Sequence, residues 1–523
     1  MLVDARTLSA GTVVTCDVAI IGAGAAGITI AREFIDTRTE VCVFESGGTD
    51  YSAETQMLAQ GGNVGLPYFD LRAERIRALG GCTGHWGGDC RPLDPIDFAT
   101  REWLHDSGWP FGLETLKPYY ERATQVLRIK PYATYDVDRS QVQSQRPGLT
   151  SLRFAEDAVE LRRWQQSGPL RFGKAFRDEL ERAANVTVYL NANLVRFGTN
   201  DEGSVIDSIE LAVLQGPRFT ARARLFILAT GTIENARLLL GVPDGKGRTF
   251  GARNDLIGRY FQEHPAFSEL AMLVPAERRP LSDFRDEVDM LSFGFTEAMQ
   301  RRHELLNSNF FIEPRRIGAD PAGVVSLRRL SGAIRAGRLP DDLFEHISRI
   351  LADFPAVTDY TYRRIFKPTS DVVGYFEIGF AAEQAPNPDS RVRLGDEVDA
   401  LGIPRVELDW QLADIDRENI VRTMNALVQE VGKAGLGRIK LLFAEDASDW
   451  REHLVASHHQ MGTTRMHPDP KRGVVDENCR THGVANLYVA GGSVFPTSGA
   501  SSPTFTIVAL ALRLADHLKE KLA

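Results

Sequence analysis

The sequence predicts an α/β fold in which a dinucleotide-binding domain with a parallel sheet is interrupted by an α+β domain with an antiparallel sheet. Three observations carry this. An apolar strand near the N-terminus runs directly into a glycine-rich turn and a helix, and Asn486 to Ala490 near the C-terminus does the same. Between them the pattern changes to alternating strands that would pair antiparallel.

At 523 residues the chain exceeds the size at which one core keeps growing, so two domains, or one with a large insert, are expected. Hydrophobic content of 43% and charged content of 25% are those of an ordinary globular protein. A net charge of −9 with no long basic run argues against nucleic acid as a partner. The five cysteines, Cys16, Cys42, Cys82, Cys90 and Cys479, are scattered singly and form no C-x-x-C. They give no disulfide framework, metal site or haem attachment. Neither a leader-like N-terminus nor an apolar run of 18 residues is present, so no membrane span and a cytoplasmic location are expected.

In chain order, Asp17 to Ile21 reads as a strand, Gly22-Ala23-Gly24-Ala25-Ala26-Gly27 as a turn, Ile28 to Phe34 as a helix and Val41 to Phe44 as a strand ending at Glu45 and Ser46. This is G-x-G-x-x-G in its required strand–turn–helix setting, with an acid about twenty residues on: a Rossmann-like unit. Gly22 allows the tight turn, Gly24 lets backbone approach a pyrophosphate, and Gly27 lets helix and strand pack closely. Glu45 would accept hydrogen bonds from an adenosine ribose. Arg75 to Phe98 holds five glycines in nine residues, including Gly80, Gly81 and Gly84, beside His85-Trp86. Such a loop bends tightly around something other than solvent. Further strands are expected at Val186 to Leu190, Asn193 to Val195 and Ala223 to Leu228, the last opening into Ala229-Thr230-Gly231 and a second helix.

From Ala266 to about Glu445, strand candidates lie at Phe267 to Leu273, Val288 to Thr296, Val372 to Ala381 and Arg405 to Leu412, with a helical, basic insert at about 326–367 and a helix from Asp414 to Lys433. Glu383-Gln384 before Pro386 reads either as facing the cofactor or as a plain turn. The C-terminal stretch pairs His458-His459 before Gly462-Thr463-Thr464 with a loop from Gly491 through Gly492 and Ser493 to Ser502. A helix follows, with Ser502 expected at its N-cap and Pro503 and Thr504 in its first turn. Its free N–H groups suit a negatively charged ring.

The fingerprint, the Leu-Gly-Gly-x-x-x-His-Trp loop, and the His-x-x-Gly-Thr-x-Arg-Met run followed by Ser-Pro-Thr together resemble the glucose–methanol–choline (GMC) oxidoreductases, which use FAD. The loop and C-terminal motifs look most like the pyranose oxidase and bacterial sugar dehydrogenase branch. The resemblance implies that His459 takes a hydroxyl proton while a hydride passes to flavin N5, and that His458 is its neighbour. It places Ser502 where the family has Asn or His, so Ser502 is a weaker hydrogen-bonding partner than the family's own. It sets Val195 beside adenine and makes His264, before Pro265, a structural residue at the domain boundary. His85 matches the histidine that pyranose oxidases link covalently to flavin; here the link is possible and not favoured.

The expected domains are 1–265 and 446–523 for FAD and 266–445 for substrate. The expected function is oxidation of an alcohol, a secondary hydroxyl of a sugar or glycoside, with oxygen, a quinone or a partner protein as electron acceptor and the oligomeric state open. The alternatives are a lyase of the hydroxynitrile lyase type that retains FAD without redox turnover, and oxidation of a non-sugar alcohol.

Overall fold

The structure, a computed structural model, describes all residues but 138–146, 151, 169, 251–254, 285–289, 317–321, 336–341, 367–371 and 445–447. Asn254, the start of the strand expected from Val288, and the Arg338 to Asp341 part of the helical insert lie outside the described residues.

The parallel sheet runs Leu2–Asp4, Val186–Leu190, Val41–Phe44, Val18–Ile21, Leu225–Leu228, Leu487–Val489. All its pairs are parallel. Val18–Ile21 and Val41–Phe44 are buried along their whole length, as central strands covered on both faces must be, which is why they read as apolar runs. Helix Ala25–Glu33 follows the first fingerprint strand, and the C-terminal helix Thr504–Leu522 packs against it and against Leu113–Leu127. That C-terminal helix buries Phe505, Val508, Leu512 and Ala515 on one stripe. Each large apolar side chain so buried contributes about 1.5–3 kcal/mol.

The antiparallel sheet is ordered Gly437–Leu441, Ala266–Pro275, Tyr375–Ala382, Ser308–Arg315, Leu291–Phe295, Val159–Arg163, with Leu454–Val455 pairing beside Ala266–Phe267. Two of its members cross the expected boundaries: Val159–Arg163 comes from before residue 265 and Leu454–Val455 from after 445. Similarly, Gly61–Asn63 joins the small sheet of Arg391–Val398 and Pro404–Asp409. The strand Ser308–Arg315, central to the antiparallel sheet, was not expected from sequence. Helices Ala322–Arg335, Leu343–Ala352 and Phe354–Phe366 form the insert, and Asp414–Lys433 forms as expected.

Candidate active site

Two cavities meet inside the protein. The larger, about 700 Å³, lies at the carboxyl ends of the parallel strands. The second, about 580 Å³, lies against one face of the antiparallel sheet. Asp89, Ser457, His459 and Ser502 line both.

The larger cavity gathers the expected motifs. Gly22, Gly24, Glu45, Ser46, Gly81, His85, Trp86, Ala229, Thr230, Gly231, Gly492, Ser502, Pro503 and Thr504 all line it. Gly22 has φ +99°, and a Cβ there would stand 2.6 Å from the Ala229 carbonyl oxygen, so both conformation and space require glycine. Gly27 does not line the cavity; a Cβ on it would fall 1.9 Å from the Gly22 carbonyl oxygen, which is the close packing expected of it. Gly80 and Gly84 lie in the loop but do not line the cavity, and Gly84 is exposed. Ser493 is buried behind the lining, accepting a 2.9 Å hydrogen bond from Asn235.

Val195 is buried and does not border the cavity, whose wall at that point is Ala192, Asn193 and Leu194. A register shift between Leu194 and Arg196 leaves Val195 out of the pairing pattern. The structure corrects one placement. The last helix begins at Thr504, with Pro503 at its N-cap and no capping side chain. Ser502 therefore caps nothing, and its hydroxyl has no hydrogen-bond partner among the described residues, leaving it to the two cavities.

FAD fits this cavity on three observations. Helices Ala25–Glu33, Thr232–Gly241 and Thr504–Leu522 all start at its wall with no side-chain cap, so their N–H groups and positive dipole ends face a ligand. Cβ positions on Gly24 and Gly231 would meet no atom of the chain within 4 Å, leaving open backbone for close approach. The Asn193 side-chain oxygen on the wall is buried without a partner, an acceptor ready for a donor such as an adenine amino group. Glu45 is anchored by the N–H groups of Ala23 and Gly47, each at 2.9 Å, while burial raises its carboxyl above the usual range. Trp86 is fixed by its indole N–H donating to the Leu170 carbonyl at 2.8 Å, which accounts for a tryptophan in this loop.

The neighbouring histidines separate. His458 has φ +63°, so successive side chains leave in opposite directions. It stacks on Phe69 at 3.9 Å and pairs with Glu74 at 2.7 Å, largely exposed. His459 turns to the junction, where its Nδ1 lies 2.8 Å from Nδ1 of His264. His264 is thus no mere boundary residue: it touches His459 and lines the second cavity. Sequence gave no hint of the contact, because 195 residues separate the two.

The tautomers follow from the partners. His264 Nε2 lies 3.4 Å from the Ser498 carbonyl, which can only accept, so Nε2 carries the proton and Nδ1 the lone pair. His459 Nδ1–H then donates to it, and His459 Nε2 is left as an acceptor. Burial lowers His264 to about 4. Burial, with His264 and His458 nearby, holds His459 well below the ordinary histidine range. Both rings are neutral near pH 7. Glu263 fastens the pair from behind: it accepts from the backbone N–H groups of His459, Ser457 at 3.0 Å and His264 at 3.3 Å. Its burial outweighs these bonds and raises its carboxyl to about 8. Glu383, one candidate for facing the cofactor, instead forms a buried ion pair with Arg101 at 2.5 and 2.6 Å.

A nucleotide cradle joined to a second cavity through a neutral histidine suits an FAD-dependent oxidoreductase acting on CH–OH donors, and the comparisons identify that class. Residues 17–249 match the "FAD dependent oxidoreductase" family model and residues 386–511 the "GMC oxidoreductase" model. Paromamine 6'-oxidase of Streptomyces fradiae is 27% identical, over 95% of this chain and 90% of its own. C-glycoside 3-oxidase of Microbacterium trichothecenolyticum is 24% identical, over 88% of this chain and 78% of its own. The crystal structure of pyridoxine 4-oxidase from Mesorbium loti has the same fold, with a TM-score of 0.55 at 17% identity, covering 97% of this chain and 99% of that one. Residues 386–511 thus form a GMC oxidoreductase domain and residues 17–249 an FAD-dependent oxidoreductase domain. These relatives are oxidases, and the lyase alternative finds no support among them. No described helix is long and apolar enough to cross a membrane.

Proposed function

We propose that the protein oxidises a hydroxyl of a sugar or glycoside bound in the second cavity, with His459 as the base. The observation that carries this is the 2.8 Å contact between the Nδ1 atoms of His459 and His264 at the junction of the cavities. It leaves His459 Nε2 unprotonated and free to take the hydroxyl proton. FAD, when bound, supplies the acceptor for the hydride that leaves the carbinol carbon. His264 acts as a positioning residue, holding the His459 ring through one hydrogen bond. Ser502 offers a hydroxyl to the substrate oxygen, and Ser457, whose own hydroxyl donates to the His264 carbonyl at 2.8 Å, stiffens the turn. Phe311 and Trp164, whose rings meet, give the second cavity an apolar wall that limits water beside the substrate.

Two of the relatives, an oxidase of paromamine and one of C-glycosides, support a sugar-like substrate. The five unpaired cysteines support a reducing, cytoplasmic setting. His85 borders the cavity, and we take the FAD to be held without a covalent bond, so acid precipitation should release it to the supernatant.

The test is an anaerobic spectrum of the FAD-loaded protein against monosaccharides, glycosides and simple alcohols. Bleaching of the oxidised flavin band by sugars or glycosides, lost in His459→Ala, is expected. Bleaching only by non-sugar alcohols removes the sugar assignment, and undiminished bleaching in His459→Ala removes the base.

A further inference from the structure

The second cavity has two unlike ends. Strand Ser308–Arg315 presents Asn309, Phe311, Glu313 and Arg315 to it, every second residue, and Asn309 donates to the Ala500 carbonyl at 2.6 Å beside the histidine junction. Four residues further along the strand, about 13 Å away at strand rise, stands Glu313. That span is longer than one sugar ring. Midway, Phe311 pairs across the sheet with Gly379, whose missing side chain leaves the aromatic ring open to the cavity.

At the far end Glu313 sits directly opposite Glu377. Like charges in that position oppose sheet pairing, so packing alone does not explain them. Arg315 bridges the two, donating to one oxygen of each at 2.6 Å. Among the described residues the other oxygen of each carboxylate has no partner. Glu313 is 62% exposed and Glu377 22%, which places the pair at the cavity mouth. With Asp89 at the junction, the described lining holds three carboxylates against one guanidinium, besides neutral histidines.

Resting on the alcohol-oxidising reading above, we propose that this cavity takes an extended amino glycoside of at least two rings. The hydroxyl to be oxidised lies at His459, a ring covers Phe311, and an ammonium group of the distant ring is received by Glu313 and Glu377. Neutral lining would suffice for a neutral glycoside; the surplus of negative charge at the mouth selects a cation and raises its local concentration.

Binding tests this without requiring turnover. Flavin fluorescence of the FAD-loaded protein is titrated with the glucosamine dimer, its N,N′-diacetyl form and cellobiose at low and high salt. The free amine should bind at least about tenfold more tightly than either neutral dimer at low salt, with the margin shrinking at high salt. In Glu313→Gln/Glu377→Gln the margin should narrow to less than about threefold. The more exposed single variant Glu313→Gln gives the same reading if the double variant fails to fold. Equal binding of the three dimers, tighter binding of a neutral one, or no binding of any overturns the proposal. Bleaching by neutral glycosides in the same preparation would then leave the alcohol oxidation standing, whereas absence of bleaching by any alcohol removes both.

Discussion

The cofactor cavity is walled by runs of neighbours in sequence, including Arg75 to Arg77, His85 to Asp89 and Ala229 to Thr232, while the far wall of the substrate cavity takes side chains from every second position of strand Ser308–Arg315. The first is held by backbone: turns, uncapped helix starts and glycines without room for a methyl group. The second is held by side chains, whose identity can change without moving a strand. Binding a common cofactor and choosing a particular alcohol are thereby assigned to parts of the chain that obey different rules.

That division can be broken by substitution. The largest effect is expected from Gly24→Val, whose Cβ meets no atom of the chain and whose side chain enters the space the cofactor needs, giving a folded protein with little or no flavin. Circular dichroism and flavin stoichiometry check this; normal flavin content would mean that the backbone does not approach the cofactor there. His459→Ala should slow anaerobic flavin reduction by about 10²–10⁴-fold while the protein stays yellow.

His264→Phe sharpens the division, because it alters the substrate side only. It should slow reduction less than His459→Ala and move the acid limb of the kcat profile to higher pH. Without His264 nearby, one cause of the depression at His459 is gone. An unmoved limb would reduce His264 to a packing role. Glu263 carries a stability signature. Its carboxyl is raised from 4.5 to about 8, so the native state holds a proton that the unfolded chain releases, and stability should fall as pH rises through that window. Denaturation of Glu263→Gln across the same range should lack that component. The smallest effect belongs to Ser502→Ala, up to about tenfold in kcat/KM, the worth of one neutral hydrogen bond.

What could be read in advance follows the same line. Gly22 to Glu45, the loop around His85 and the strand before Gly491 are local signals in which turn, helix start and cofactor contact fall within a few residues. The contact of His264 with His459 was not legible, because a histidine 195 residues from its partner carries no local mark. The register shift at Val195 was not legible either, because single-sequence periodicity does not encode it. Ser308–Arg315 escaped because its wall residues, Asn309, Phe311, Glu313 and Arg315, mix amide, aromatic and charged groups instead of alternating apolar with polar.

The last strand of the parallel sheet, Leu487–Val489, pairs with Leu225–Leu228 from the first half of the chain, and the loop after it completes the cofactor wall. During synthesis, the nucleotide cradle of Gly22 to Glu45 emerges well before Leu487–Val489 and has no closed wall until that strand and its loop have left the ribosome. Flavin loading is therefore a late event, and a message truncated before residue 487 yields a product that cannot turn yellow.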